Sequence, residues 1–319
     1  MVKLGGADTV GLMWVPAKVA LVLALGVAVI LSGVDVANGA QKNSGSNVAP
    51  SRAFYLALGG SQARGIQPTA RYPKGAYSGH GYTVDVVAAA AMRGVDLRLT
   101  DLGCPEETVV TMITGHDRCH RVGRSQLESA VAFLMRHRGE KGVVSIDLGF
   151  NDVLPCLYKT SGILRCTTRL LGQIRAKLAL IERRLVTAGG KDVVFIGLTH
   201  YDPMIIYALR RATSERARES LASVVALNRT LEASYKAAGL RVANIAGVFD
   251  HKAGRGRGEL LSSARRTCAW TWMCARSPYG PNIHPRTKGY DVEAGVIERV
   301  LFVSKRHRRG ATIDFRHSG

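Results

Sequence analysis

"FYLALGGSQARG", residues 54–65, is an apolar run that ends in two glycines, a serine and, four residues on, a third glycine. Phe54–Leu58 carries no charge and reads as a strand buried on both faces, with the glycines as the tight turn that leaves it. Ser61 then stands at the exit of a strand. Four further β-type runs follow: Val95–Thr100, Gly142–Leu148, Asp192–Leu198 and Leu240–Ile245. Between them lie the helix-type stretches Thr83–Arg93, Ser125–His137, Ile163–Ala188 and Arg216–Ala238, and a last one covers Thr287–Val303. Within Ile163–Ala188, Ile174, Leu178, Ile181 and Leu185 recur at helical spacing while Arg175, Lys177, Arg183 and Arg184 face elsewhere. Strands alternating with helices predict an α/β fold whose parallel sheet, of about five strands, is covered on both faces. In such sheets active sites gather at the carboxyl ends of the strands.

The remaining composition fits one exported domain. The chain has 319 residues, 46% of them hydrophobic, enough for a substantial core. Residues 1–40 carry Lys3 and Lys18, the apolar run Val19–Leu31, and small residues at Ala37, Gly39 and Ala40. That order is the pattern of a secretory signal or an N-terminal anchor, and the run is shorter than a membrane-spanning helix requires. Residues 41–52 are polar and read as a linker, residues 53–304 as the folded domain, and residues 305–319 as a basic, solvated tail. The formal net charge of +20 suggests an anionic partner. Nucleic acid is set aside because the leader sends the chain out of the cell, which leaves an anionic membrane or a cell-envelope surface. Nothing marks an oligomer interface, so a monomer is the default expectation.

Six cysteines agree with an oxidising compartment. They permit 15 pairings, among which sequence alone does not choose. The economical expectation joins neighbours, Cys104–Cys119, Cys156–Cys166 and Cys268–Cys274, because each couple brackets a short loop. No CxxC occurs, so no metal site is expected.

Three stretches carry chemistry together: Gly59-Gly60-Ser61, then "IDLGFND" with Gly149, Asn151 and Asp152, then "PNIHPRTKGY" with His284. A serine, an asparagine and a histidine at one sheet edge supply a nucleophile, an oxyanion donor and a general base. These blocks resemble the SGNH (GDSL-type) hydrolase family over about Phe54–Phe302. The cysteine layout and "CAWTWMC" are similar to a secreted bacterial esterase and lipase-like branch with three disulfides. The resemblance implies a flavodoxin-like three-layer α/β/α sandwich and hydrolysis of esters or lipid-like substrates without a cofactor. It implies that Ser61 is the nucleophile, that His284 is its base, and that the side chain of Asn151 and the N–H of Ser61 form the oxyanion hole.

Three positions depart from the family pattern. Gly60 stands where the family has Asp, which implies a looser turn. In "GCPEET", Glu106 replaces the oxyanion-hole glycine, and its backbone N–H is expected to donate in that glycine's place. Pro281 stands where the family acid precedes the histidine, so its carbonyl is expected to orient the imidazole in a Ser–His dyad. These departures also support the alternative of an SGNH-fold protein with weakened catalysis that binds envelope carbohydrate or lipid. Asp152 reads as a helix cap, and His116, His120, His200 and His251 as ordinary surface or loop residues. Trp270 and Trp272 read as lining an acyl pocket or packing on their own disulfide. Arg210–Arg218 and Lys252–Arg266 read as solvated faces.

Overall fold

The structure is a computed structural model and describes residues 51–115, 119, 124–250, 256–303 and 312–313. The expected leader, the linker through residue 50 and most of the tail lie outside these, as do His116, His120 and His251. All described residues belong to one unit, Val48–Gly319.

Strands β1 (Ser51–Gly59), β4 (Val95–Asp101), β5 (Gly142–Asp147), β6 (Val193–Leu198) and β7 (Arg241–Ala243) form a five-stranded sheet. Its order is β4-β1-β5-β6-β7, and every neighbouring pair is parallel. A two-stranded hairpin, β2 (Ile66–Gln67) with β3 (Ala76–Tyr77), follows the first strand. The helices are α1 (Tyr82–Ala91), α2 (Thr111–Thr114), α3 (Gln126–Arg136), α4 (Phe150–Leu157), α5 (Ile163–Gly189), α6 (Ser214–Ala237), α7 (Ile245–Phe249), α8 (Arg257–Trp270) and α9 (Thr287–Leu301).

Side chains of a strand alternate between faces, and β1 shows how both faces are used. Phe54, Leu56 and Leu58 join the core built with Leu127 and Phe133 of α3, Leu178 and Ile181 of α5, and Leu227 of α6. Ala53, Tyr55 and Ala57 join the opposite core with Tyr82 and Val86 of α1 and Tyr290 and Ile297 of α9. The result is a three-layer α/β/α sandwich. The chain moves from β1 outward to β4, then back past β1 to β5, so the connections reverse between β1 and β5. A crevice opens outside the strand ends at such a reversal.

Ser51 and Arg52, assigned to the linker by composition, already pair with Val95 and Asp96 as part of β1. Thr312 and Ile313, inside the expected solvated tail, pair antiparallel with Phe302–Val303, and Ile313 is buried. The apolar Ile313 finds a partner that the basic composition around it conceals. Ile245 begins α7 instead of ending a strand. Part of the Lys252–Arg266 stretch is helix α8, which buries Leu260, Ser263, Ala264 and Thr267. That stripe is half polar by residue type, which hides it from a hydrophobicity pattern.

Disulfides join Cys104–Cys119, Cys156–Cys166 and Cys268–Cys274. Among the described residues no helix is long and apolar enough to cross a membrane.

Candidate active site

Ser61 owes its position to the close approach of β1 and β5. Gly59 pairs with Asp147, at φ +126°, and a Cβ there would stand 2.1 Å from the Asp147 carbonyl oxygen. Only glycine fits such a place. The turn that follows is closed by Gly60 N–H donating to the Asp147 carbonyl (3.1 Å) and Ile66 N–H to the Ser61 carbonyl (3.1 Å). Gln126, at the start of α3, braces it from the side. Its Oε1 accepts from Gly59 N–H (2.7 Å), and its Nε2 donates to the Gly59 carbonyl (3.2 Å) and to Glu107 Oε2 (2.8 Å).

His284 arrives from the loop before α9. Trp272 N–H donates to its carbonyl (3.0 Å), and Thr271 bridges Pro285. Its Nε2 lies 2.8 Å from Ser61 Oγ, so the two side chains are in direct hydrogen-bond contact. Its Nδ1 lies 2.6 Å from Asn282 Oδ1. That amide oxygen also accepts His284 N–H (3.0 Å), while Asn282 Nδ2 donates to the Lys74 carbonyl (3.0 Å). The reversed amide would set donor against donor and oxygen against oxygen, so the network fixes its orientation. An oxygen can only accept, so Nδ1 carries the hydrogen and Nε2 turns its lone pair to the serine hydroxyl. Burial pulls the His284 imidazole down to about 4, so it is neutral at ordinary pH. The group on Nδ1 is therefore the side chain of Asn282, and not the expected carbonyl of Pro281. Asn282, two residues before the histidine, folds back over the intervening backbone.

Asn151 sits in the first turn of α4, and its Nδ2 donates to the Glu107 carbonyl (2.9 Å). An amide nitrogen has two hydrogens, so this bond fixes the side chain and leaves one hydrogen for another acceptor. Gly149 makes the start of α4 at φ +95°. Ser61, Asn151 and His284 line one small cavity of about 20 Å³, together with Gly60, Glu107 and Ile283. Asp152 lies just outside, its Oδ2 accepting Val109 N–H (3.0 Å).

No protein-family model matches the chain, and no curated protein matches it in sequence. Solved structures do. The extracellular lipase from Streptomyces rimosus superposes with a TM-score of 0.53 at 15% identity, over 78% of this chain and 99% of the lipase. Phospholipase A1 from Streptomyces albidoflavus superposes at 0.50 and 15% identity, over 78% of this chain and 99% of its own. The chain has the SGNH-hydrolase fold.

Set on the SGNH fold, the departures from the family pattern take physical form. A Cβ at Gly60 would stand 2.9 Å from Asn151 Nδ2. Glycine there admits the Asn151 amide against a turn that is well bonded, not loose. Glu106 is the one non-glycine residue at positive φ (68°) among the described residues, the conformation a glycine takes without strain. Its side chain is exposed, and it is Glu107 that lines the cavity.

His200, expected as a surface or loop residue, lies in a loop but is 2% exposed, and it lines the same cavity. Asn228 clamps its backbone, accepting His200 N–H (2.9 Å) and donating to the His200 carbonyl (2.7 Å). Its Nε2 faces the Leu148 carbonyl (2.9 Å), and its Nδ1 lies 3.4 Å from Asp147 Oδ1. Burial pushes the Asp147 carboxyl up, and His200 with the N–H groups of Ala63 and Gly60 draws it back. A lone histidine with no patterned neighbour offers no sequence cue to this pairing. The aspartate is written in "IDLGFND", but nothing there links it to residue 200. Neither Trp270 nor Trp272 is among the residues lining the cavity. Trp270 packs edge-on against Phe249, and Trp272 Nε1 donates to Gln67 Oε1 (3.3 Å).

Proposed function

We propose that the protein is an exported serine ester hydrolase that works through an acyl-enzyme on Ser61. The observation that carries this reading is the 2.8 Å contact of Ser61 Oγ with a neutral His284 whose Nε2 lone pair faces it. Ser61 Oγ attacks the ester carbonyl carbon as its proton passes to His284 Nε2. The oxyanion that forms is held by Ser61 N–H and the second Nδ2 hydrogen of Asn151, with the N–H of Glu106 as a further donor. Collapse breaks the bond to the alcohol, which leaves with the proton from His284. Water then attacks the acyl carbonyl, gives its proton to His284, and releases the acid as Ser61 regains its hydrogen. No metal or organic cofactor takes part in these steps.

The small cavity beside Ser61, about 20 Å³, supports a short acyl group over a long one. The basic, apolar leader and three disulfides support export. The alternative of weakened catalysis is favoured by the neutral Asn282, which stabilises an imidazolium less than a carboxylate would. Hydrolysis of 4-nitrophenyl acetate, butyrate and octanoate by the disulfide-bonded protein tests the proposal. Acetate and butyrate are expected to turn over, with the octanoate slower. Ser61→Ala and His284→Ala are each expected to lose about 10³-fold or more in kcat. Undiminished turnover by Ser61→Ala contradicts the assignment, and no turnover by the wild type favours the binding reading.

A further inference from the structure

Two segments of one character form a rim beside His284, where Asn282 Nδ2 donates to the Lys74 carbonyl. Residues 64–80 and 271–290 together carry Arg64, Arg71, Lys74, Arg276, Arg286 and Lys288, and not one Asp or Glu. The first segment is the β2–β3 hairpin and its flanks. It is anchored at its base, where Tyr290 Oη donates to the Ile66 carbonyl (3.0 Å) and Gln67 accepts from Trp272 Nε1. It is anchored beside the reacting groups as well, where the Lys74 carbonyl accepts from Asn282.

Beyond these anchors the rim exposes aromatic rings paired with guanidinium groups. Tyr72 and Tyr77 are 51% and 57% exposed. Arg71 lies 5.4 Å from the Tyr72 ring centre, Arg64 5.6 Å from that of Tyr77, and Arg286 4.4 Å from that of Trp272. Each such pair joins a flat ring to a cation, and the Arg64 guanidinium is also paired with Asp101 (3.5 Å). The rim exposes no large aliphatic side chain: the exposed Met92, Met135, Leu209 and Val225 all lie elsewhere. A surface built to enter a bilayer would carry such groups. Flat rings beside cations suit a chain of sugar rings, whose C–H faces stack and whose acidic groups pair with the guanidinium.

We propose that this rim binds an anionic polysaccharide, which bears the ester that the site hydrolyses. The last clause rests on the esterase reading, but the binding surface does not. Binding is therefore measured on Ser61→Ala, where no hydrolysis intervenes. The probes are polygalacturonate, neutral dextran, phosphatidylglycerol vesicles and a thymidine oligonucleotide, all at 0.15 M salt.

Polygalacturonate is expected to bind and dextran not. Adding Arg71→Ser, Tyr72→Ser and Tyr77→Ser is expected to weaken polygalacturonate binding by about tenfold or more. A charge control, Arg183→Ser with Arg184→Ser on α5, is expected to change it less than about twofold, because distant exposed charges are screened at this salt. Unchanged melting temperatures establish that both variants fold. Equal binding by rim variant and charge control overturns the proposal, since the affinity would then be bulk charge alone. Rim-dependent binding confined to vesicles or to the oligonucleotide also overturns it, in favour of a lipid surface or a nucleic acid. Failure of this experiment leaves turnover of small esters untouched, and failure of turnover leaves the binding result standing.

Discussion

A neutral amide, Asn282, holds the imidazole of His284 where the family pattern has a carboxylate. It fixes the tautomer as a carboxylate would, but adds no charge to steady the imidazolium. Asn282→Ala is expected to lower kcat by about 10²-fold, because the ring loses its preferred tautomer. Asn282→Asp is expected to raise the histidine, since a nearby opposite charge favours the protonated form. The acid limb of kcat/KM reports that group in the free enzyme. It is expected near pH 4 in the wild type, with activity rising as His284 loses its proton, and at higher pH in Asn282→Asp. An unshifted limb in the variant would show that the group on Nδ1 does not govern the base. Asn151→Ala is expected to cost about 10²–10³ in kcat, the usual effect of losing one oxyanion donor. Ser61, Asn151 and His284 could be named from sequence because each lies in a short motif. Asn282 is an amide and not an acid, so no family pattern marks it as the partner of the histidine, and only the fold-back of the loop shows its use.

At the scale of elements, the turn after β1 is held from two sides: β5 beneath it and α3 beside it. Gln126 satisfies both backbone groups of Gly59, so its loss leaves a buried N–H without its partner. Gln126→Leu is expected to destabilise the protein by about 1–3 kcal/mol, measured by urea unfolding, and to lower kcat as the turn loosens. A change confined to stability would mean that the turn holds its shape without the brace. Helix α3 was legible in the sequence, and Ser125 and Glu128 form its capping box, but nothing local points Gln126 at residue 59. The long helix α5 was equally legible, since its apolar stripe repeats over 27 residues. Helix α4 was not. It has eight residues, too few to show a helical period, and Pro155 inside it reads as a breaker.

Over the whole molecule, the five strands and the three-layer packing followed from apolar runs alternating with amphipathic stretches. Their order in the sheet, and hence the meeting of β1 with β5, depends on contacts distant in sequence. So do the buried acids. Burial pushes Asp101, Glu107 and Asp152 up to about 6, and Glu182 and Asp202 up to about 7. A carboxyl raised by folding holds its proton more tightly in the native state, so its contribution is complete below the unfolded value near 4 and is lost as pH rises through the folded one. His284, lowered to about 4, acts oppositely and costs stability below its unfolded value of about 6.5. Five acids outweigh one histidine, so the melting temperature is expected to be higher at pH 5.5 than at pH 8. A higher value at pH 8 would mean that these carboxyls are ionised in the fold.

The central claim is that Ser61 is an activated nucleophile. The direct measurement is labelling of the disulfide-bonded protein with a fluorophosphonate at pH 7, the adduct located by peptide mass spectrometry. A single adduct on Ser61, absent in Ser61→Ala and strongly slowed in His284→Ala, is the expected result. No adduct on Ser61 in the folded wild type, or one whose rate His284→Ala leaves unchanged, would contradict it.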